Sequence, residues 1–179
     1  MIIGDGIRLR AVDRSDLQLF VNWLNDHEVR QFLTLYYPLS MSMEEKWFES
    51  MILSSPEEQP LMIEVITEKG WKPIGDLGLM HVSNVDRDAE LGIFIGEKSE
   101  WNKGYGRKAI KLMLRYAFMT LNLNRIYLRV FENNLRGISS YRATGFVEEG
   151  RMRQAKFSEG AYQDVLLMSV LRSEWQAEN

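Results

Sequence analysis

The segment Asn102-Lys-Gly-Tyr-Gly-Arg107 stands between a strand-like stretch, Ala89 to Ile95, and the most regular helical pattern of the chain, Gly104 to Thr120. A Gly-x-Gly turn that opens a helix leaves backbone N–H groups without intrahelical partners at the positive end of the helix dipole. Glycine also lets an anion approach the backbone closely. The turn therefore predicts a phosphate site, with Lys103 and Arg107 as flanking charges.

This turn differs from two common nucleotide-binding motifs. Ala109 occupies the third glycine position of a dinucleotide fingerprint, and no Gly-Lys-Ser/Thr follows as in a Walker motif. A protein that binds ATP or NAD at Gly104 and Gly106 nevertheless stays open as an alternative at this point.

The composition excludes several kinds of catalytic and metal-binding chemistry. The 179 residues include no cysteine, only two histidines, and 22 Lys plus Arg against 25 Asp plus Glu, a formal charge of −3. The lack of cysteine excludes disulfides, thiolate catalysis and cysteine-based metal sites, and two histidines argue against a His-rich centre, so no metal is expected. A slightly acidic chain also disfavours a nucleic-acid partner.

The patterns along the chain predict one domain, residues 1–179, of the α+β (mixed α/β) class. The expected order is β-αα-ββ-β-α-β-α-ββ, a mostly antiparallel mixed sheet of about seven strands with helices on both faces. Helix-start signals are Asp13 with Asp16, and a capping-box pattern of Ser42 with Glu45. The predicted strands are Ile7 to Val12, Leu61 to Thr67, Pro73 to Val82, Ala89 to Ile95, Arg125 to Val130, Phe146 to Phe157 and Tyr162 to Leu171.

The N-terminal residues show no basic segment followed by an apolar one, and the longest apolar runs are far shorter than the ~20 residues of a membrane helix. These features predict a cytoplasmic protein with no membrane partner.

A second motif, Asn134-Leu-Arg-Gly-Ile-Ser-Ser-Tyr141-Arg-Ala-Thr-Gly145-Phe146, completes a recognisable pair. Together the two segments resemble the GNAT N-acetyltransferase superfamily, with Trp101 where Gln or Arg is more usual and Gly137 in place of Ala. The Trp-x-Lys-Gly-Tyr-Gly version of the turn, the preceding Ile95-Gly-Glu-Lys98, and the tail from Glu149 resemble its RimJ/RimL-type branch. The resemblance spans about residues 7 to 175.

The resemblance implies that acetyl-CoA lies in a splay between the fourth and fifth predicted strands. The strand end at Phe94 and Ile95 would pair with the pantetheine arm, and Asn134 would hydrogen-bond that arm. Tyr141 would be the general acid for the departing thiolate. Helix capping by Asn134 and core packing by Tyr141 are the alternatives. The pyrophosphate would be held by Asn102, Lys103, Gly104, Tyr105, Gly106 and Arg107.

The general base and the acceptor pocket are less specified. Glu90 is the first candidate for the base and His81 the second, because an amine must lose a proton before it attacks. Asp164 either binds the acceptor ammonium or pairs with an arginine of the neighbouring strand. Tyr36 and Tyr37 are candidate walls of the acceptor pocket.

The resulting hypothesis is transfer of an acetyl group from acetyl-CoA to a primary amine by direct attack in a ternary complex. The acceptor is a protein N-terminal amine or a small-molecule amine. A polyamine acetyltransferase, and a non-catalytic acyl-CoA-binding module of the same fold, remain alternatives. A homodimer is plausible for such a domain.

Overall fold

One mixed sheet of eight strands organises the protein, whose computed structural model describes residues 1–175. Its strand order is β1-β2-β3-β4-β5-β6-β8-β7, and every neighbouring pair is antiparallel except β5 with β6. The strands are β1 (Ile2–Gly4), β2 (Ile7–Ala11), β3 (Leu61–Thr67), β4 (Gly70–Ser83), β5 (Asp88–Ile95), β6 (Arg125–Phe131), β7 (Val147–Ser158) and β8 (Ala161–Leu171). The helices are α1 (Leu17–Asn25), α2 (His27–Arg30), α3 (Met41–Met51), α4 (Tyr105–Met119) and α5 (Leu135–Arg142), with 3-10 turns at Arg14–Asp16, Pro56–Glu58 and Lys98–Glu100.

The predicted mixed, mostly antiparallel sheet with helices on both faces is confirmed. The sequence missed β1, because three residues are too few to show the alternation that reveals a strand. None of the helices within residues 1–175 has the length and apolar character needed to cross a membrane.

Two apolar clusters cover the two faces of the sheet. The larger one packs α4 and Ile138 of α5 against one face, and the smaller one packs α1 and α3 against the other. The apolar side chains of α4 recur every three or four residues, so a single stripe of that helix is buried. β5 contributes to both clusters in alternation, with Leu91 in the larger and Phe94 against the smaller.

The helices on the smaller cluster begin with side-chain caps. The predicted helix start at Asp13 and Asp16 is present and takes the form of a reciprocal capping box, although the first turn is 3-10 and α1 continues from it. The predicted capping box at Ser42 is wrong. Ser40 is the N-cap residue of α3 and accepts a hydrogen bond from the Met43 N–H, so Ser42 lies inside the helix.

The sheet separates at its one parallel pair. β5 and β6 are in register only from Asp88↔Arg125 to Glu90↔Tyr127, whereas β5 pairs with β4 as far as Ile95. The edge of β5 beyond Glu90 therefore has no strand beside it. This is the predicted splay, and it opens towards the beginnings of α4 and α5.

Two carboxylates lie near each other on the sheet face that the smaller cluster covers. Asp76 is the register partner of Met62 and Phe94, which places it on the sheet face under α3, and Glu44 on α3 is only 4% exposed. Neither has an ion-pair partner within residues 1–175. Burial and the nearby Glu44 charge raise the pKa of Asp76 to about 7, and burial raises the pKa of Glu44.

This pair makes stability depend on pH. Because the folded state holds the Asp76 proton more tightly than the unfolded chain, the free energy of unfolding should fall as pH rises from about 4 to about 7. Asp76→Asn cannot ionise, so we expect it to be more stable than the parent at pH 8, by on the order of 2 kcal/mol, and about equal at pH 4. Urea unfolding of both proteins at the two pH values measures this.

Asp164→Asn is the matched control. The Gln154 N–H and Arg151 lower the pKa of Asp164, so its removal should cost stability at pH 8 rather than add it. If Asp76→Asn and the parent lose stability in parallel between pH 4 and pH 8, the buried pair is not the source of the dependence.

Candidate active site

A cavity of about 1050 Å³ fills the space where β5 and β6 diverge. That volume is at the upper end of the range for ligand pockets, which suits a long, extended ligand. One group of lining residues belongs to the segment before α4, to α4 and to α5, and includes residues 100–107, Asn134, Arg136, Gly137 and Tyr141. A second group belongs to α2 and the loop after it, the opposite sheet face and β7.

The beginning of α4 presents free backbone N–H groups to this cavity. Gly104 is its N-cap residue, with φ +83° and no side-chain cap, and Asn102 just before it is also left-handed, with φ +61°. A Cβ atom on Gly104 would meet no heavy atom within 4 Å, and one on Gly106 would reach only Ile95, at 4.0 Å. Open space in front of unpaired N–H groups is what a phosphate needs.

Two cationic side chains lie beside this turn, one of them in an ion pair and the other not. Lys103 lies 2.9 Å from Glu100, which also pairs with Lys72. Arg107 lines the cavity and has no ion-pair partner within residues 1–175. Of the two predicted flanking charges, Arg107 is thus the one available to an anion.

The free edge of β5 is shaped by Trp101. Its indole N–H donates to the Ile95 carbonyl at 2.7 Å, and the Arg136 guanidinium lies over its ring, 4.0 Å from the centroid. Ile95 therefore lines the cavity while its carbonyl accepts the hydrogen bond from Trp101. Phe94, the residue before it on β5, also lines the cavity. The tryptophan that replaces the usual Gln or Arg thus fixes the end of this strand and holds Arg136 at the cavity wall.

Asn134 caps α5 and also lines the cavity. Its Oδ1 caps α5 by accepting a hydrogen bond from the Gly137 N–H at 2.9 Å, and its side chain lines the cavity. A methyl group at position 137 would lie 2.7 Å from Asn134 Nδ2. Glycine in place of alanine at position 137 therefore leaves room for Asn134 in its capping conformation.

Tyr141 lies two helical turns beyond Asn134, in the same cavity wall. Its ring packs edge-on against Phe146, with centroids 5.9 Å apart. Burial raises the pKa of Tyr141 to about 12, so its hydroxyl stays protonated at any physiological pH. The group is available as a hydrogen-bond donor inside the cavity.

Glu90 lies where the two strands separate, 6% exposed, and lines the cavity. Arg129 of β6 holds it with two hydrogen bonds, Nε to Oε1 at 2.8 Å and Nη2 to Oε2 at 2.9 Å. His81 Nδ1 is 3.2 Å from the same Oε2. The pairing with Glu90 raises the pKa of Arg129.

Three other predicted residues lie away from the cavity wall. Tyr36 and Tyr37 are 56% and 75% exposed and do not line the cavity. Asp164 accepts a hydrogen bond from the Gln154 N–H at 2.8 Å and pairs with Arg151, so it stabilises the irregular part of β7. The structure thus brings Tyr141, Glu90 and the predicted cofactor residues together and leaves these three outside. His81, also a predicted site residue, does not line the cavity either, although it contacts Glu90.

Apart from Glu90 and Phe94, the second group of lining residues was not anticipated. It is largely apolar, and among residues 1–175 Glu90 is its only carboxylate, opposed by Arg129 and Lys156. Alternation along β6 indicates that Arg129 faces away from Leu128 and Val130, but no sequence signal pairs it with Glu90. The apolar members are Val29, Phe32, Leu33, Met80, Phe94, Met152 and Ala155.

The described residues contain no group of three or more Asp, Glu or His side chains placed to hold a metal ion.

Comparison with known proteins identifies related chains. A family model described as "Acetyltransferase (GNAT) domain" matches residues 7–147. Spermidine N(1)-acetyltransferase of Vibrio cholerae is 30% identical over 179 residues, 94% of this chain and 95% of that protein. YdaF of Bacillus subtilis, named as a candidate ribosomal N-acetyltransferase, is 32% identical over 178 residues, 98% of this chain and 97% of that protein.

A solved structure agrees with these matches. Spermidine N-acetyltransferase from Vibrio cholerae in complex with CoA and spermine superposes with a TM-score of 0.87 at 30% identity, covering 96% of this chain and 98% of that one.

The open space at Gly106 gives a direct test of the phosphate site. Gly106→Val places a branched side chain in front of the free N–H groups at the beginning of α4, so the dissociation constant for CoA should rise about tenfold or more. Isothermal titration calorimetry measures the change.

Gly150→Val is the control, because Gly150 also has open space around it but lies on β7 outside the cavity lining. Equal affinity for CoA in the Gly106 variant and the parent would show that the beginning of α4 does not bind the phosphates of CoA.

Proposed function

The chain belongs to the GNAT acetyltransferase family and is an acetyl-CoA-dependent N-acetyltransferase, and on that premise we propose that its acceptor is a primary amine flanked by apolar groups. A protein or peptide α-amine is the leading candidate and a small apolar amine the next. The reaction is direct attack of the amine on the thioester in a ternary complex, in which proximity supplies much of the acceleration.

The observation that carries this choice of acceptor is the lining of the second group. Phe32, Leu33, Met80 and Met152 offer apolar contacts, and Glu90, the sole carboxylate there within residues 1–175, is already neutralised by Arg129. A polycation needs several unpaired carboxylates to replace its hydration. One amine with an apolar neighbour needs only a single anionic or hydrogen-bonding partner.

The donor side follows from the other lining group. The free N–H groups at the beginning of α4, with Arg107, would hold the pyrophosphate, and the β5 edge beyond Glu90 would pair with the pantetheine arm. A backbone N–H on this edge would also donate to the thioester oxygen as negative charge develops there. Asn134 would bind the arm from the opposite wall.

Tyr141 would act on the leaving sulfur. Its hydroxyl would donate a hydrogen bond as the carbon–sulfur bond breaks and would give its proton to the thiolate. After the attack, the nitrogen of the acceptor amine carries an excess proton. This proton would return to the Tyr141 oxygen and restore its hydroxyl. Because a phenol with a pKa of about 12 is a weaker acid than a thiol, most of the stabilisation would come from the hydrogen bond.

A polyamine is the second candidate acceptor. Support for it comes from the relative and the solved structure that are named as spermidine acetyltransferases. Resemblance to the RimJ/RimL-type branch, and the match to a candidate ribosomal N-acetyltransferase, support the protein amine instead. A cytoplasmic location and a homodimer stay predictions.

An amine panel separates these acceptors. Thiol release from acetyl-CoA would be followed with three sets of amines: peptides with a free apolar N-terminal residue, the polyamines spermidine and spermine, and amino sugars. We expect the highest kcat/KM with the peptides, and a matched peptide blocked at its N-terminus reports any side-chain reaction.

Preference for spermidine would establish the second candidate. CoA binding without turnover of any amine would instead indicate a non-catalytic module.

Tyr141→Phe tests the leaving-group step. Loss of one hydrogen bond to the developing thiolate should lower kcat by about 10²-fold while the dissociation constant for acetyl-CoA changes little. Steady-state kinetics with calorimetry of CoA binding give the two quantities. Unchanged kcat would exclude Tyr141 from the chemical step.

A further inference from the structure

We propose that His81 takes the proton from the acceptor ammonium, and that Glu90 and Arg129 position its ring for this step. The inference rests on the proposed N-acetylation but does not depend on which amine is the acceptor. It replaces Glu90, the first choice from the sequence, with a chain of three side chains from β4, β5 and β6.

The hydrogen bonds of Glu90 favour a positioning role. A carboxylate has about four acceptor positions, and Arg129 and His81 occupy three of them: one on Oε1 and both on Oε2. A carboxylate engaged in this way is well suited to hold an imidazole and to stabilise the imidazolium form. It has little capacity left to collect a proton itself.

The ring of His81 is placed to exchange protons. Its Nδ1 contacts Glu90, whereas its side chain is 68% exposed, beside Met80 and Glu90 of the cavity wall. A carboxylate on Nδ1 leaves Nε2 as the nitrogen with the free lone pair. Imidazole is also the side chain best suited to gain and lose a proton near neutral pH.

The backbone of β4 is distorted at His81. Between the register pairs Met80↔Glu90 and Ser83↔Asp88, β4 advances three residues while β5 advances two, so β4 carries a bulge. His81 has φ +54°, an uncommon conformation for this residue type. Bulges re-aim side chains, and strained residues concentrate at functional sites.

The bulge is held in place by a carboxylate. The Val82 N–H, which the bulge removes from the strand ladder, donates to Glu58 Oε1 at 3.0 Å. The distorted backbone is therefore built into the fold.

The proton transfer balances without another reactant. One N–H bond of the acceptor ammonium breaks, its electron pair stays on nitrogen, and the proton bonds to His81 Nε2, directly or through one water. The imidazolium is stabilised by Glu90 and then releases this proton to solvent. The neutral amine attacks the thioester.

Other charges also face this site. Within the chain of three, Glu90 contacts His81 and Arg129 contacts Glu90; outside it, Glu58 holds the adjacent backbone. Asp88 begins β5, two residues before Glu90, and Tyr127 is the register partner of Glu90 on β6. Burial raises the pKa of Tyr127, and the charges of Glu90 and Asp88 raise it further. A pH profile of the parent alone therefore does not identify the titrating group, and variants are needed.

The chain provides a matched control for His81. His27, the other histidine, is also an exposed residue in contact with a glutamate: its Nε2 is 2.8 Å from Glu159, and its side chain is 64% exposed. His81 does not itself line the cavity, but its partner Glu90 does, whereas neither His27 nor its partner Glu159 lines it. A general effect of removing a surface imidazole would appear in both variants.

The test uses whichever amine of the panel is turned over. His81→Asn tolerates a positive φ, and we expect it to lower kcat/KM at pH 7 about 10²-fold and to change the shape of the pH–rate profile, while His27→Asn matches the parent. His81→Gly should regain rate in proportion to added imidazole. Glu90→Gln should lose rate without regaining it.

Two results would overturn the proposal. One is a parent-like rate and pH profile in His81→Asn. The other is a slow His81→Gly variant that folds with a normal melting temperature and gains nothing from imidazole, which would leave Glu90 as the base. Failure of every amine in the panel would instead reject the proposed function and is visible before any variant is made.

Discussion

The ion pair of Glu90 with Arg129 lies where the sheet divides, and the site depends on it. Below it β5 and β6 pair as ordinary parallel strands, and above it they separate around the cavity. A buried carboxylate is stable only if its charge is compensated with good geometry, which the two hydrogen bonds from Arg129 provide. The pair therefore joins the two strands at the last point where they touch.

The division of the sheet separates two kinds of surface. Towards α4 and α5 the cavity offers backbone N–H groups, Arg107 and Arg136, all suited to an anionic ligand. Towards β7 and the loop after α2 it offers mainly apolar side chains. In the proposed reaction, a large anionic donor and an amine acceptor would approach the same strand edge from surfaces with different chemistry, which fits direct transfer between them.

Local features were predictable because neighbouring residues determine them. The Gly104 turn, the stripe of α4 and the capping box of Asp13 each lie within a few residues of sequence, and all three are present. The wrong prediction of the α3 cap was also local. Two serines, Ser40 and Ser42, compete for one cap, and the choice depends on where α3 must start to pack on the sheet.

The acceptor side could not be predicted in the same way. Glu90 and Arg129 are 39 residues apart, and their contact depends on the register between two strands that pair over only three residues. Tyr36 and Tyr37 are aromatic and close to the acceptor region in sequence, yet they point to solvent.

By itself the sequence determined the helix start that would bind a phosphate, the tyrosine two turns along the next helix, and the exclusion of thiol chemistry. Those properties follow from residue type and short-range spacing, which backbone geometry turns into structure directly. Only the tertiary structure decided that Arg129 neutralises Glu90, that Glu90 contacts His81, and that the cavity wall towards β7 is mainly apolar. Each of these depends on residues brought together by strand register and by a bulge, and register is a property of the whole sheet.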